Sequence, residues 1–272
     1  MLLAIDVGNT NIVFAVCEEG EIRAQWRAAT KTTRTADEYA VWLAQLLEIE
    51  ELDFSDLDQA IIASVVPAAL HDLRYLCRRY LHCEPLVVGT PGVDLGIGNN
   101  TDRPESVGAD RLINAVAAHA NYAGAVIVVD FGTATNFDIV AENGDYEGGI
   151  IAPGVNLSAE ALHRAAALLP RVMVKKTARV IGKDTVPAMQ SGLYWGYVGL
   201  IEGLIGRIKA EYGKSHGKEM TVVATGGLAK LFHKDILAID HIDPDLTIRG
   251  LVLVHRHNMA AAGAASAAGT AN

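Results

Sequence analysis

Apolar positions open the chain as a short run, residues 2–5, which stops at the turn Asp6-Val7-Gly8-Asn9-Thr10-Asn11 and resumes over residues 12–16 before Glu18-Glu19-Gly20-Glu21. Two such runs about a glycine-containing turn predict a β-hairpin, with a third strand over 22–27. The arrangement recurs: residues 126–129, the turn Asp130-Phe131-Gly132-Thr133-Ala134-Thr135, residues 136–140, then Glu142-Asn143-Gly144-Asp145. Asp6 and Asp130, Gly8 and Gly132, Val16 and Val140, Glu18 and Glu142, and Gly20 and Gly144 are each 124 positions apart. A constant offset in pattern and chemistry indicates an internal duplication. Residues 1–115 and 116–257 are the expected halves.

Between the hairpins, Tyr39, Trp42, Leu43, Leu46 and Leu47 fall at the spacing of an amphipathic helix over 36–47, with Thr35 as N-cap and Glu38 three residues on. Residues 59–66 read as a buried strand stopped by Pro67, 71–80 as a helix and 86–88 as a strand. A Gly/Pro/Asn-rich loop over 89–104 feeds a helix over 109–120. In the second half, 157–167 and 189–212 read as helices, and 220–224 as a strand ending at Thr225-Gly226-Gly227. The class is α/β. Residues 258–272 form an Ala/Gly-rich, low-complexity tail expected to fray.

Charge narrows the partners. With 23 basic against 32 acidic side chains in 272 residues, the net charge is −9, which argues against nucleic acid or an anionic membrane held by a global basic field. Any anion is gripped locally. The most apolar stretch, 115–129, is interrupted by His119, Asn121 and Tyr122 and falls short of the ~20 residues of a membrane span. No basic, cleavable leader precedes Asp6, and Cys17, Cys77 and Cys83 form no C-x-x-C pair. These features lead us to expect a cytoplasmic protein.

An Asp closing a buried strand, followed by Gly and by Asn or Thr, suits a phosphate and magnesium site. Gly8 and Gly132 let backbone amides approach phosphate oxygens, Asn9, Thr10, Asn11, Thr133 and Thr135 add donors, and Asp6 and Asp130 can hold cations directly or through water. Other nucleotide signatures fail. Gly182-Lys183-Asp184-Thr185 has Thr177 where a Walker A loop needs its first Gly and Asp184 where it needs Ser or Thr, and residues 92–98 do not supply G-x-G-x-x-G.

Four segments taken together, Asp6 to Asn11, Gly108-Ala109-Asp110-Arg111, Asp130 to Thr135 and Glu147-Gly148-Gly149-Ile150-Ile151-Ala152-Pro153-Gly154, resemble the type III pantothenate kinases. Ser64-Val65-Val66-Pro67, residues 182–197 and Thr225-Gly226-Gly227 extend the resemblance over nearly the whole chain. It implies two duplicated ribonuclease-H-like domains of the actin-like ATPase superfamily, with a nucleotide cleft between them. The implied reaction is ATP-dependent phosphorylation of pantothenate, the first step of coenzyme A biosynthesis.

The resemblance also assigns roles. Asp110 is the implied general base, and Gly108, Ala109, Arg111 and Thr185 join it around pantothenate, Arg111 as the carboxylate grip. Asp6, Val7, Gly8, Asn9, Thr10, Asn11, Ile12, Val13, Gly132 and Thr133 are the implied ATP-binding residues. Asp6 places Mg²⁺, and Asp130 binds a monovalent cation, K⁺ or NH₄⁺. A homodimer is implied, and the apolar helix 189–204, with Leu193, Tyr194, Trp195 and Tyr197, carries more apolar surface than one core-facing stripe needs. One position departs: Thr101 stands where many members carry Tyr. His255 and His257 read as an exposed terminal pair without acidic or thiolate partners and make a poor metal pair. The same scaffold serves filament and chaperone ATPases, but the Gly-Ala-Asp-Arg motif favours a small hydroxyl acceptor.

Overall fold

A computed structural model describes residues 1–165, 169–217 and 219–269. In chain order the elements are β1 (Leu2–Val7), β2 (Asn11–Glu18), β3 (Glu21–Ala29), α1 (Ala36–Ile49), β4 (Gln59–Ser64), α2 (Pro67–Tyr80), β5 (Leu86–Val87) and α3 (Ala109–Asn121). There follow β6 (Ala125–Phe131), β7 (Ala134–Val140), β8 (Tyr146–Pro153), α4 (Val155–Ala165), α5 (Thr185–His216), β9 (Met220–Thr225), α6 (Ala229–Phe232), β10 (His241–Ile242) and α7 (Leu246–Gly269).

The duplication is explicit in the sheets. One has strand order β3-β2-β1-β4-β5 and the other β10-β9-β6-β7-β8, which is the same order read from the opposite edge. In each, the three hairpin strands are antiparallel and the last two join in parallel. The turns differ by one residue. Val7 pairs with Ile12 across the first and Phe131 with Thr135 across the second, so the equal sequence spacing conceals a tighter second turn.

The first compact unit comprises Met1–Ile97, Arg103–Ala117 and the stretch from Leu246; the second comprises Gly98–Asp102 and Ala118–Asp245. Side chains alternate across a strand, and the first sheet is buried on both faces. Leu3, Ile5, Val7, Ile12, Phe14 and Val16 pack with α1 and α2, whereas Leu2, Ala4, Ala15, Cys17, Ile61 and Ala63 pack with Ile113 and Val116 of α3 and Ile248, Leu251 and Val254 of α7. The division expected at 115/116 assigned α7's residues to the second half, but its apolar stripe covers the first sheet. In the second unit Ile127, Val129, Phe131 and Phe137 pack with α5, α6 and Val155 of α4.

Several local expectations shift for physical reasons. β4 ends at Ser64 and not at Val66, so Pro67 does not stop a strand but starts α2, because its fixed φ and missing N–H suit a first helical position. The tail expected to fray continues α7 as helical backbone to Gly269, in keeping with alanine's helix propensity. Residues 166 and 167 of the expected helix 157–167 lie outside the described residues. The apolar α5 residues assigned to association are spent internally: Leu193, Tyr194 and Tyr197 are buried in the second unit's core, and the Trp195 indole donates to the Thr177 hydroxyl at 3.1 Å. Among the described residues no helix is long and apolar enough to cross a membrane.

Candidate functional site

Asp6 is the residue after Ala4 on the face of β1 that α3 and α7 cover, at the end where that cover stops. Its register neighbours are Ala63 on β4 and Val13 on β2. Because α3 packs on this face, its N-terminus brings Asp110 to the same strand end. The two carboxylates feel each other: burial first, and the Asp110 charge second, push the Asp6 carboxyl up to about 7, while Arg27 pulls it down. Burial also raises Asp110, opposed by the Arg111 amide and guanidinium. Asp110 Oδ1 accepts from the Arg111 backbone N–H at 2.9 Å. Gly108 makes that fold-back possible, since a Cβ there would lie 2.6 Å from Asp110 Oδ1 and 3.6 Å from Val65.

The turn beside Asp6 is closed by the Gly8 amide donating to the Asn11 carbonyl at 3.0 Å. Asn9, Thr10 and Asn11 are exposed, as phosphate donors must be, whereas Ile12 is fully buried and has only its backbone to offer. Thr30, just beyond β3, braces the turn: its hydroxyl donates to the Gly8 carbonyl at 2.7 Å and its amide to Thr10 at 3.0 Å.

In the second unit, Gly132 and Thr133 are exposed and the Gly132 amide closes the turn on Ala134 at 3.0 Å. Here Gly154 is the brace, its amide donating to Thr133 at 3.2 Å. A Cβ on Gly154 would meet the Thr133 carbonyl and sit 2.7 Å from that of Gly132. Gly226, at φ +88°, brings its α-carbon against the Asp130 carboxylate and the Phe131 amide, a close approach that only glycine allows. The Tyr197 hydroxyl shares a hydrogen bond with Thr135, and burial, with Asp130 adding to it, pushes Tyr197 up to about 12.

The other predicted residues lie outside these turns in sequence. Thr185 is the exposed first residue of α5, its amide held by the Asp184 N-cap at 2.7 Å. Thr101 donates to Asn99 Oδ1 at 2.7 Å and lies against Gly148, in a segment that adds to the edge of β8 through the amides of Asn100 and Tyr146. His255 is buried rather than exposed, and His257 bonds to Asp94 at 3.1 Å. No group of three or more His, Cys, Asp or Glu capable of holding a metal occurs among the described residues.

A cation nevertheless fits beside Asp6. Two mutually repelling carboxylates in a largely dry setting are an acidic donor pair, and Mg²⁺ usually takes one or two carboxylates and completes its shell with water and phosphate oxygens. The Asp130 carboxylate, set against Gly226, offers oxygen, the hard ligand type that alkali cations prefer.

Comparison with known proteins follows the same outline. Residues 2–207 match the family model for type III pantothenate kinase. The chain belongs to the type III pantothenate kinase family. A relative of that name from Paramagnetospirillum magneticum is 62% identical over 95% of this chain and 98% of its own length. Another from Rhodospirillum rubrum is 61% identical over 95% and 99%. A provisionally assigned N-acetylglucosamine kinase from Porphyromonas gingivalis shares the fold at TM-score 0.52 and 12% identity, covering 95% of this chain and all of that one.

Thr30 and Gly154 also stand 124 positions apart, so the constant offset signals both braces. Tyr197 gave no signal, because its meeting with Thr135 depends on how α5 packs.

Proposed function

We propose that this kinase transfers the γ-phosphoryl group of ATP to the primary hydroxyl of pantothenate, giving 4′-phosphopantothenate, with Asp110 as general base. The observation that carries the base assignment is the pairing of Asp110 with Asp6 at one strand end, with both carboxyls raised. A raised carboxylate is a better proton acceptor at neutral pH. The hydroxyl gives its proton to Asp110 as its oxygen bonds to the γ-phosphorus; the bond to the bridging oxygen breaks, and ADP leaves with the electron pair.

Arg111 presents a planar fork to the pantothenate carboxylate, while Gly108, Ala109 and the Thr185 hydroxyl complete the acceptor side. Val7, Gly8, Ile12 and Val13 offer backbone, and Asn9, Thr10 and Asn11 side-chain donors, to the triphosphate; Gly132 and Thr133 do the same from the second turn. Asp6 would hold Mg²⁺, directly or through water, and the ion would supply charge neutralisation on the triphosphate. Asp130 would hold K⁺ or NH₄⁺, which would supply further positive charge in a chain without a Walker A lysine.

Purified protein with ATP, Mg²⁺ and a potassium salt should yield phosphopantothenate by mass spectrometry; none formed would sink the assignment. Turnover should rise in potassium or ammonium over sodium at matched ionic strength, and Asp130→Ala should abolish the difference. The homodimer rests on exposed apolar side chains of the second unit, Ile151, Leu157, Met173, Val180 and Ile181, and light scattering should find twice the chain mass. The three free thiols suit a reducing cytoplasm.

A further inference from the structure

Asp6 has a cationic neighbour that no motif announces. In the ladder of the first sheet Asp6 pairs with Val13, and Val13 pairs with Arg27. Residues directly opposite in a ladder point to one face, so Ala63, Asp6, Val13 and Arg27 form a row across β4, β1, β2 and β3 on the face that carries Asp110. Arg27 lies two strands from Asp6, ~10 Å by the usual inter-strand spacing. Both side chains belong to one face, so the long Arg27 side chain and the Asp6 carboxylate border the same surface on either side of Val13.

Arg27 is exposed and makes no hydrogen bond or ion pair with any described residue. Several other arginines are committed: Arg78 to Glu84, Arg164 and Arg171 to Glu160, and Arg34 over the rings of Tyr39 and Trp42. The position of Arg27 is also fixed, because Thr30, three residues on, is bonded to Gly8 and Thr10 of the phosphate turn. Asp110 approaches from the β4 side, near Val65; Arg27 approaches from the β3 side. The row therefore has an acceptor end and a cationic end, with Asp6 between them.

We propose that Arg27 binds the β-phosphate of the nucleotide, from the side of Asp6 opposite Asp110. This rests on the phosphoryl-transfer reading above. When the bridging bond breaks, the electron pair and its negative charge go to the β-phosphate of ADP, and a guanidinium fork neutralises it in place of a Walker A lysine.

The test is a binding ladder, with turnover as a second readout. Affinities for Mg·ATP, Mg·ADP and AMP are measured by calorimetry for wild type, Arg27→Gln and Arg27→Lys, with circular dichroism to confirm folding. Arg27→Gln should lose about tenfold or more for ATP and ADP and stay within twofold for AMP, and Arg27→Lys should recover part of the loss. In turnover, KM for ATP should rise while KM for pantothenate holds. ATP and ADP affinities within twofold of wild type would overturn the proposal, as would an equal loss for AMP, which marks a structural role. A loss for ATP alone would move the contact to the γ-phosphate and reject the assignment made here. A wild type that binds ATP but does not phosphorylate pantothenate would defeat the activity reading alone, leaving the ladder to decide Arg27.

Discussion

At the first hairpin turn a carboxylate faces a second carboxylate; at the second it faces a tyrosine and a glycine. Both turns come from one duplicated pattern, and both are braced from the residue after the third strand, Thr30 or Gly154. What differs is the company. Asp6 meets Asp110 because α3 lays its N-terminus at the end of β1, and burial with like charge lifts its carboxyl to about 7. Asp130 meets Gly226 and lies near Tyr197, neither of which carries a charge at neutral pH. A duplicated scaffold thus yields two unlike surroundings when the helices around it diverge: a pair of buried carboxylates at the first turn, and a carboxylate beside Gly226 and Tyr197 at the second.

The largest expected effect breaks the chemistry on one side of that comparison. Asp110→Asn should lower kcat by about 10² to 10⁴-fold with the fold intact by circular dichroism. Near wild-type turnover would remove Asp110 from the mechanism.

Asp6→Asn should separate function from stability. Activity should fall mainly through a greater demand for Mg²⁺ and ATP, read from titrations of both. Stability without nucleotide should move the other way. The folded carboxyl, at about 7 against an ordinary 3.8, holds its proton more tightly than in the unfolded chain. Its contribution is therefore full below about pH 4 and is lost as pH rises through 7. The asparagine has no such loss, so its melting temperature relative to wild type should climb between pH 4 and pH 8. Each 1 kcal/mol appears as roughly 2–4 °C at this size. A difference that does not vary with pH would show that Asp6 is not held up as described.

Much of this contrast could be read from the residues, and the unread part has specific causes. The hairpins were visible because short apolar runs flank an Asp-x-Gly turn, twice and at one spacing. β8 was not, since Glu147-Gly148-Gly149-Ile150-Ile151 has weak strand propensity and owes its conformation to the ladder with β7. The destination of α7 was hidden because an apolar stripe does not say which sheet it will cover. Asp110 entered through a family resemblance, but its pairing with Asp6 required the packing of α3. Arg27 lay in a predicted strand, yet its row with Asp6 exists only through the register of two successive strand pairs.

The smallest effects probe the braces, where the two turns differ by one residue in length. Gly154→Ala should destabilise by about 1–3 kcal/mol, as overpacking does, because its new methyl group meets the Thr133 carbonyl and lies 2.7 Å from that of Gly132. Backbone carbonyls in a tight turn cannot swing aside as a flexible side chain would. Thr30→Ala should cost less, about 0.5–1.5 kcal/mol for one lost hydrogen bond, since the hydroxyl bond to Gly8 goes while the amide bond to Thr10 stays. Chemical denaturation of both variants gives the ranking directly. The longer first turn tolerates a side chain at its brace and uses it; the tighter second turn has no room for one. If Thr30→Ala proved the more damaging of the two, the hydroxyl would be the main support of the first turn, and the shared backbone bond would not be the common device that closes both.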